Sequence, residues 1–180
     1  MSRKLLIVVD MQNDFLTGSL KNDNAIKIIP NIIKKIKDHK GPIIATKDTH
    51  FDKTEKDNIK YEDTLEGKLL PVRHAIKNTK GWEIEEQILN ELKKHKDYYE
   101  IEKKTFGWDG WKEYLKKFEF NEIEVCGVVA SICVIANTII LRSLYPNMKI
   151  VVDTKAIADI NDEGFNSAFN VLKAQQIDVI

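Results

Sequence analysis

The sequence predicts a single doubly wound α/β domain, with a mainly parallel sheet of about six strands covered by helices on both faces. Two observations support this. Short apolar runs rich in Val and Ile recur along the chain, without the polar alternation of strands that have one wet face. Helical patterns separate most of these runs, and alternating strands and helices are typical of parallel sheets. The arrangement is Rossmann-like.

The elements follow in order. The predicted strands are residues 5–9, 42–45, 98–101, 123–128, 149–152 and 177–180, and the predicted helices are residues 26–36, 84–92, 111–118, 132–144 and 165–172. Residues 49–80 have no clear period and are rich in charged residues and Thr, which predicts a long loop. The apolar helix 132–144 must be buried, either in the core or between subunits.

Length and composition favour one domain over residues 1–180. Hydrophobic residues make up 43% of the 180 residues, enough for a sizeable core. The 28 basic residues match the 28 acidic ones, so no net charge attracts nucleic acid or a membrane surface. The apolar run at residues 5–9 is too short to span a bilayer. We therefore expect a cytoplasmic protein whose partner is a small molecule or another protein.

Chemically reactive side chains follow the predicted strands. Ligands of open α/β sheets bind beyond the carboxyl ends of the strands, so these residues are the candidates for a site. They are Asp10 after the first strand, Asp48 and His50 after the second, Lys103 and Lys104 after the third, Ser131 and Cys133 after the fourth, and Asp153 after the fifth. If the sheet forms as predicted, they share one edge.

Cys133 is the candidate nucleophile. It follows a strand and a short turn and opens a helix, where the helix dipole and a nearby lysine would lower the thiol pKa. Its residue type alone favours a buried, inert cysteine, and only its position favours reactivity. Cys126 lies within a predicted strand and is interpreted as structural. Two cysteines are too few for a disulfide framework.

Asp10 and Lys103 are candidate partners of that cysteine. An aspartate after a buried strand is equally a base, a metal ligand or a turn former. A lysine at another strand end supplies the cation that a buried carboxylate needs, although Lys103 could also be a solvated residue beside Lys104. Asp48, His50 and His74, with Glu66 between them, suit a divalent metal ion. Asp-x-His pairs are common by chance, so spacing alone favours no metal.

Three segments together resemble the isochorismatase-like cysteine hydrolases, in particular the nicotinamidase and pyrazinamidase branch. They are residues 5–15, 103–107 and 126–134, which match the family's first strand with its aspartate, its lysine segment and its nucleophile turn. The resemblance implies a catalytic triad of Asp10, Lys103 and Cys133 that forms an acyl-thioester. It also implies an oxyanion hole formed by the backbone N–H groups of Val129 and Cys133, and a cis peptide between Val128 and Val129.

The resemblance extends to a cofactor and an assembly. It implies a divalent ion, expected to be zinc, on Asp48, His50 and His74, with Glu66 as a fourth ligand, and in nicotinamidases such an ion orients the pyridine ring. Relatives often carry an aromatic residue just before the last histidine, whereas this chain has Val72 and Arg73. We therefore place Phe15 and Trp108 in the substrate pocket. The resemblance also implies a homo-oligomer, a dimer or tetramer.

Other functions remain open at this stage. Another amidohydrolase of the same family, acting on a carbamoyl or ureido compound, would use the same residues. A non-catalytic small-molecule-binding protein on this fold is a further alternative. A phosphatase or dehalogenase is disfavoured because Gln12 stands where those enzymes need a second aspartate. A dinucleotide-binding protein is disfavoured because no glycine-rich turn follows the first strand.

Overall fold

One parallel sheet of six strands forms the centre of the computed structural model, which describes residues 3–180. The strands are β1 (Lys4–Val9), β2 (Ile43–Asp48), β3 (Tyr98–Lys103), β4 (Glu122–Val128), β5 (Lys149–Ala158) and β6 (Asp178–Val179). Their order is β3-β2-β1-β4-β5-β6, and every neighbouring pair is parallel. The predicted α/β fold is confirmed, and the sheet is parallel throughout.

Six α-helices connect and cover the strands. They are α1 (Asp23–Asp38), α2 (Leu65–Leu69), α3 (Glu86–Leu92), α4 (Trp111–Tyr114), α5 (Ile135–Leu144) and α6 (Asp162–Ala174). In α1 the buried residues Ala25, Ile28, Ile32 and Ile36 recur at helical spacing and form one apolar stripe. Helix α1 packs on β4 and β5 and beside α3, while α5 contacts both α4 and α6. Within the described residues no helix has the length and apolar character needed to cross a bilayer.

The strands β2, β3 and β5 are longer than the sequence pattern predicts. Asp48 and Lys103 are the last residues of β2 and β3, and they face each other in register. The larger difference is in β5, which continues to Ala158, so Asp153 lies within the strand and not at its end. The polar residues Asp153 and Lys155 interrupt the apolar run without ending the strand. The residue that follows β5 is Asp159.

The segment between β4 and α5 begins differently from the prediction. Ala130–Val134 forms a single turn of π-helix, and α5 continues from it. The peptide between Val128 and Val129 is cis. Cys126, interpreted as structural, is fully buried in β4. Residues 49–80 are mostly irregular, and they contain a short 3₁₀ turn and α2.

Candidate active site

The site lies beyond the carboxyl ends of the central strands. From β1 the chain proceeds to β2 and β3 on one side and returns to β4 on the other, so the strand order reverses between β1 and β4. Such a reversal leaves a crevice at the strand ends. Asp10 follows β1 with φ of +49°, a left-handed conformation that is uncommon for a residue other than glycine. The hydrogen bond from its N–H to the carbonyl of Thr46 ties it to β2.

Lys103 joins three of the predicted residues. Its Nζ lies 2.7 Å from Asp10 Oδ2, 3.4 Å from Asp48 Oδ1 and 3.5 Å from Cys133 Sγ. The lysine is only 1% exposed, although it is charged. Thr46 Oγ1 donates a hydrogen bond of 2.6 Å to Asp10 Oδ1 and holds the carboxylate from its other side. Residues far apart in sequence therefore form one buried cluster.

The protonation states of this cluster follow from burial and charge. Burial raises the pKa of Asp10, although the nearby Lys103 lowers it. Burial also raises the pKa of the Cys133 thiol well above its usual range, and Lys103 offsets only part of that effect. Burial lowers the pKa of Lys103, but Asp10, Cys133 and Asp48 outweigh it and raise that pKa overall. The free thiol is therefore protonated at neutral pH, not a thiolate as the helix-start argument predicts.

A proton acceptor thus has to lie beside the thiol before the sulfur can attack. Asp10 Oδ2 is buried, is paired with Lys103, and makes no aligned hydrogen bond. Its raised pKa makes this carboxylate a better base than an exposed aspartate. The arrangement can move the thiol proton to Asp10 while the Lys103 ammonium stabilises the sulfur anion.

The turn that carries Cys133 is held by hydrogen bonds at both ends. The carbonyl of Val129 accepts from the N–H groups of Ile132 and Val134, each at 3.1 Å. Asn137 Nδ2 donates to the carbonyl of Cys133 at 2.7 Å. Turns of π-helix inside α-helices are frequent at functional sites. Val129, the predicted oxyanion donor, lines the same cavity as Cys133.

The four predicted metal ligands form a second cluster that adjoins the first. One ligand atom from each of Asp48, His50, Glu66 and His74 lies within 4.8 Å of the others. His50 Nε2 is 3.1 Å from Asp48 Oδ2 and 3.6 Å from Glu66 Oε1. His74 Nε2 is 3.4 Å from Glu66 Oε1. Asp48 therefore has one oxygen toward Lys103 and the other toward the histidines.

The donor set fits a divalent cation. His74 Nδ1 lies 2.7 Å from the carbonyl of Val72, which only accepts, so Nδ1 carries a proton and Nε2 faces the carboxylate of Glu66. His50 Nε2 is buried without an aligned hydrogen bond. Burial lowers the pKa of His50, but the carboxylates of Asp48 and Glu66 outweigh burial and raise this pKa to about 9. The carboxylates of Asp48 and Glu66 therefore favour a positive charge in this cluster, which a bound ion would supply.

The family model described as isochorismatase domain matches residues 4–180. The chain belongs to the isochorismatase family.

Relatives within the isochorismatase family include proteins with named activities. The chain is 31% identical to a nicotinamidase of Saccharomyces cerevisiae, and the alignment covers 98% of this chain and 99% of the relative. The crystal structure of a pyrazinamidase/nicotinamidase from Streptococcus mutans has a TM-score of 0.82 and 25% identity, covering 98% and 99% of the two chains. A pyrazinamidase of Pyrococcus horikoshii in complex with zinc has a TM-score of 0.78 and 26% identity, covering 99% and 98%.

Both clusters of this family member open into one cavity of about 890 Å³. Phe15 lines it, and its ring centroid lies 5.6 Å from that of His74. Trp108, the other predicted pocket residue, is not among the lining residues. Its ring centroid lies 5.1 Å from that of Trp111, and the backbone N–H of Trp108 donates to Asn137 Oδ1. Phe106 takes its place, 46% exposed and lining the cavity.

Sequence reasoning missed several residues that support the site. Gln12 is fully buried, and its side chain donates to the carbonyl and accepts from the N–H of Asp48, at 2.9 and 2.7 Å. Thr46 holds Asp10, and its position directly after the apolar run 42–45 was the available signal for it. Leu65 and Leu69 on α2 are apolar but 75% and 77% exposed at the mouth of the cavity. Both leucines are apolar, so a search for polar residues near the strand ends does not identify them.

Proposed function

We propose that this protein is a cysteine hydrolase of a small amide, and that it converts nicotinamide to nicotinate and ammonia. One observation carries the proposal. The ammonium of Lys103 lies within 3.5 Å of both the Asp10 carboxylate and the Cys133 thiol, beside the metal-binding cluster of the same cavity. The nicotinamidase and pyrazinamidase relatives support the choice of substrate.

The first half of the reaction forms an acyl-enzyme. Asp10 takes the thiol proton as Cys133 Sγ attacks the amide carbonyl, and a C–S bond forms. Lys103 stabilises the charges of both partners because its ammonium stays between them. The backbone N–H groups of Val129 and Cys133 donate hydrogen bonds to the carbonyl oxygen and stabilise its negative charge. The C–N bond then breaks, and ammonia leaves with the proton that Asp10 held.

The second half releases the acid. Asp10, again a carboxylate, takes a proton from a water molecule as that water attacks the thioester. The C–S bond breaks, the carboxylic acid leaves, and the proton returns to Cys133. The Asp10 side chain thus acts as base and then as acid in each half of the reaction. Its raised pKa suits both roles.

Asp48, His50, Glu66 and His74 would hold a divalent ion, which we propose to be zinc. A bound ion would supply a Lewis acid for the ring nitrogen of nicotinamide and so would help to orient the amide. The zinc complex of the Pyrococcus horikoshii pyrazinamidase supports this choice of metal. Phe15, whose ring lies beside His74, would contact the substrate ring.

Ammonia release from nicotinamide by matched cysteine variants tests the proposal. Cys133→Ala removes the nucleophile, and we expect turnover to fall by about 10³-fold or more. Cys126→Ala is the matched control, because Cys126 is buried in β4 and lines no part of the cavity. Full turnover by Cys133→Ala would disprove the nucleophile assignment.

A substrate panel separates nicotinamidase activity from that of other amidohydrolases. It contains nicotinamide, pyrazinamide, N-carbamoylsarcosine and a ureido acid, each assayed for ammonia. We expect a higher kcat/KM for nicotinamide and pyrazinamide than for the carbamoyl and ureido compounds, because each of these two rings carries a nitrogen that could bind the metal. A higher value for a carbamoyl or ureido compound would reassign the substrate and leave the cysteine chemistry intact. A folded, metal-loaded protein without turnover of any member would instead indicate a binding protein.

A further inference from the structure

We propose that Asp159 is a positioning residue of the reaction, which holds the turn of Cys133 through the backbone N–H of Ser131. The proposal deepens the function proposed above and rests on it. Asp159 follows the true end of β5, at the same edge of the sheet as Asp10 and Lys103. It has no part in the acid-base steps.

The carboxylate of Asp159 is committed to two backbone N–H groups. Its Oδ2 accepts from Ser131 at 2.7 Å, and its Oδ1 accepts from Ile160 at 2.7 Å. The residue is 3% exposed. Among the ion pairs of residues 3–180, none includes Asp159. Burying a carboxylate without a cation is costly unless hydrogen bonds satisfy it, so these two bonds determine where the side chain lies.

Gly164 in the first turn of α6 provides an independent sign that this contact is tight. A Cβ at residue 164 would lie 2.6 Å from Asp159 Oδ1 and 3.2 Å from Ser131 Oγ. The absence of a side chain therefore lets α6 approach both residues. Glycine lowers helix stability relative to alanine, so its presence within α6 reflects this close approach and not helix formation.

The contact bears on the geometry of the nucleophile. Ser131 and Cys133 belong to the same single turn, Ala130–Val134. Asn137 holds the carbonyl of Cys133 from α5, while Asp159 holds the N–H of Ser131 from β5. Without Asp159 the turn keeps its hydrogen bonds to the Val129 carbonyl and to Asn137, but the Ser131 N–H loses its acceptor. Displacement of the turn would move Cys133 Sγ from its position 3.5 Å from Lys103 Nζ.

The test compares Asp159→Ala, Asp159→Asn and Gly164→Ala with the wild type. Asp159→Ala removes the acceptor, and we expect kcat to fall about 10- to 100-fold with KM changed less than about threefold. Asp159→Asn keeps one oxygen for the Ser131 N–H and should retain within about fivefold of wild-type kcat. Gly164→Ala pushes the carboxylate from the other side, and it should lower kcat by about 10-fold.

Alkylation of Cys133 by iodoacetamide provides a readout that does not depend on the substrate. Mass spectrometry assigns the alkylated residue, and we expect slower alkylation in Asp159→Ala because the displaced thiol loses its base and its cation. Bound zinc and thermal unfolding are measured on the same samples. Asp153→Asn is the matched control on β5, since it removes a carboxylate that pairs with Lys35 outside the cavity. It should lower stability and leave kcat unchanged.

Two results would overturn the proposal. One is a folded Asp159→Ala variant whose kcat and Cys133 alkylation rate equal those of the wild type. The other is equal loss in Asp159→Asn and Asp159→Ala, which would assign the effect to charge and not to the hydrogen bond. If Asp159→Ala fails to fold, Gly164→Ala and Asp159→Asn decide the question. Failure of the wild type to hydrolyse nicotinamide would refute the substrate, but the alkylation rates would still test the positioning role.

Discussion

Lys103 is the residue on which the others depend. Its ammonium is buried between two carboxylates and a thiol, at 2.7, 3.4 and 3.5 Å. A charge without solvent needs partners, and here the partners are also the reacting groups. The lysine therefore serves stability and chemistry together.

Lys103→Met tests both roles. It leaves Asp10 and Asp48 buried without their cation, so we expect a loss of about 3 to 5 kcal/mol in the free energy of unfolding. Turnover should fall by about 10³-fold or more, because the thiol then loses the ammonium that stabilises its anion. Urea unfolding and ammonia release measure the two effects. Unchanged unfolding would mean that the carboxylates are already protonated in the native protein.

The outcome of residue-level prediction depended on the neighbours of each residue. Asp10 and Cys133 follow short apolar strands whose ends are clear in the sequence, and a family resemblance linked them. Trp108 was placed in the pocket wrongly, because a sequence window does not show which way a loop side chain turns. The ring packs on Trp111 and Tyr114 instead. Asp159 was missed because Asp153 made β5 look shorter than it is.

At the scale of elements, a salt bridge joins α1 to the sheet. Lys35 on α1 lies 2.6 Å from Glu124 of β4 and 2.6 Å from Asp153 of β5. All three side chains are less than one-fifth exposed, so solvent screens the pairs only in part. The sequence showed these residues as separate charges, since nothing in a single segment indicates which strands a helix crosses.

Lys35→Met should destabilise the protein by about 2 kcal/mol at neutral pH, because two partly buried carboxylates lose their cation. Burial raises the pKa of Asp153, but Lys35 outweighs it and holds that pKa below the usual value. This contribution is therefore present above about pH 4 and is lost as pH falls through the native pKa. Urea unfolding of both proteins between pH 3 and pH 7 checks this, and a difference that stays constant down to pH 3 would contradict it.

At the scale of the whole molecule, the alternation of strands and helices was enough to predict the fold class. The strand order was not deducible from the sequence, because crossover direction leaves no mark in composition. The homo-oligomer and the cytoplasmic location stay predictions. Light scattering at several protein concentrations measures the oligomeric state.

Metal binding should stabilise the whole chain. The four ligands come from β2, the irregular segment and α2, so an ion would join three parts of the chain. At a zinc concentration 100-fold above Kd, the native state gains about 2.7 kcal/mol. We expect this to raise Tm by about 5 to 10 °C in calorimetry. The variant Glu66→Gln should show a smaller rise, and an equal rise would remove Glu66 from the ligand set.

Asp48 connects the cluster of Lys103 and Cys133 to the metal-ligand cluster. One carboxylate group has one oxygen 3.4 Å from Lys103 Nζ and the other 3.1 Å from His50 Nε2. The Lys103 ammonium and an ion held by the metal-ligand cluster would thus compete for the electron density of a single carboxylate. Free-energy coupling between two sites is reciprocal. If metal binding changes the ionisation equilibrium of Lys103 and Cys133 by some factor, ionisation of that pair must change the metal affinity by the same factor.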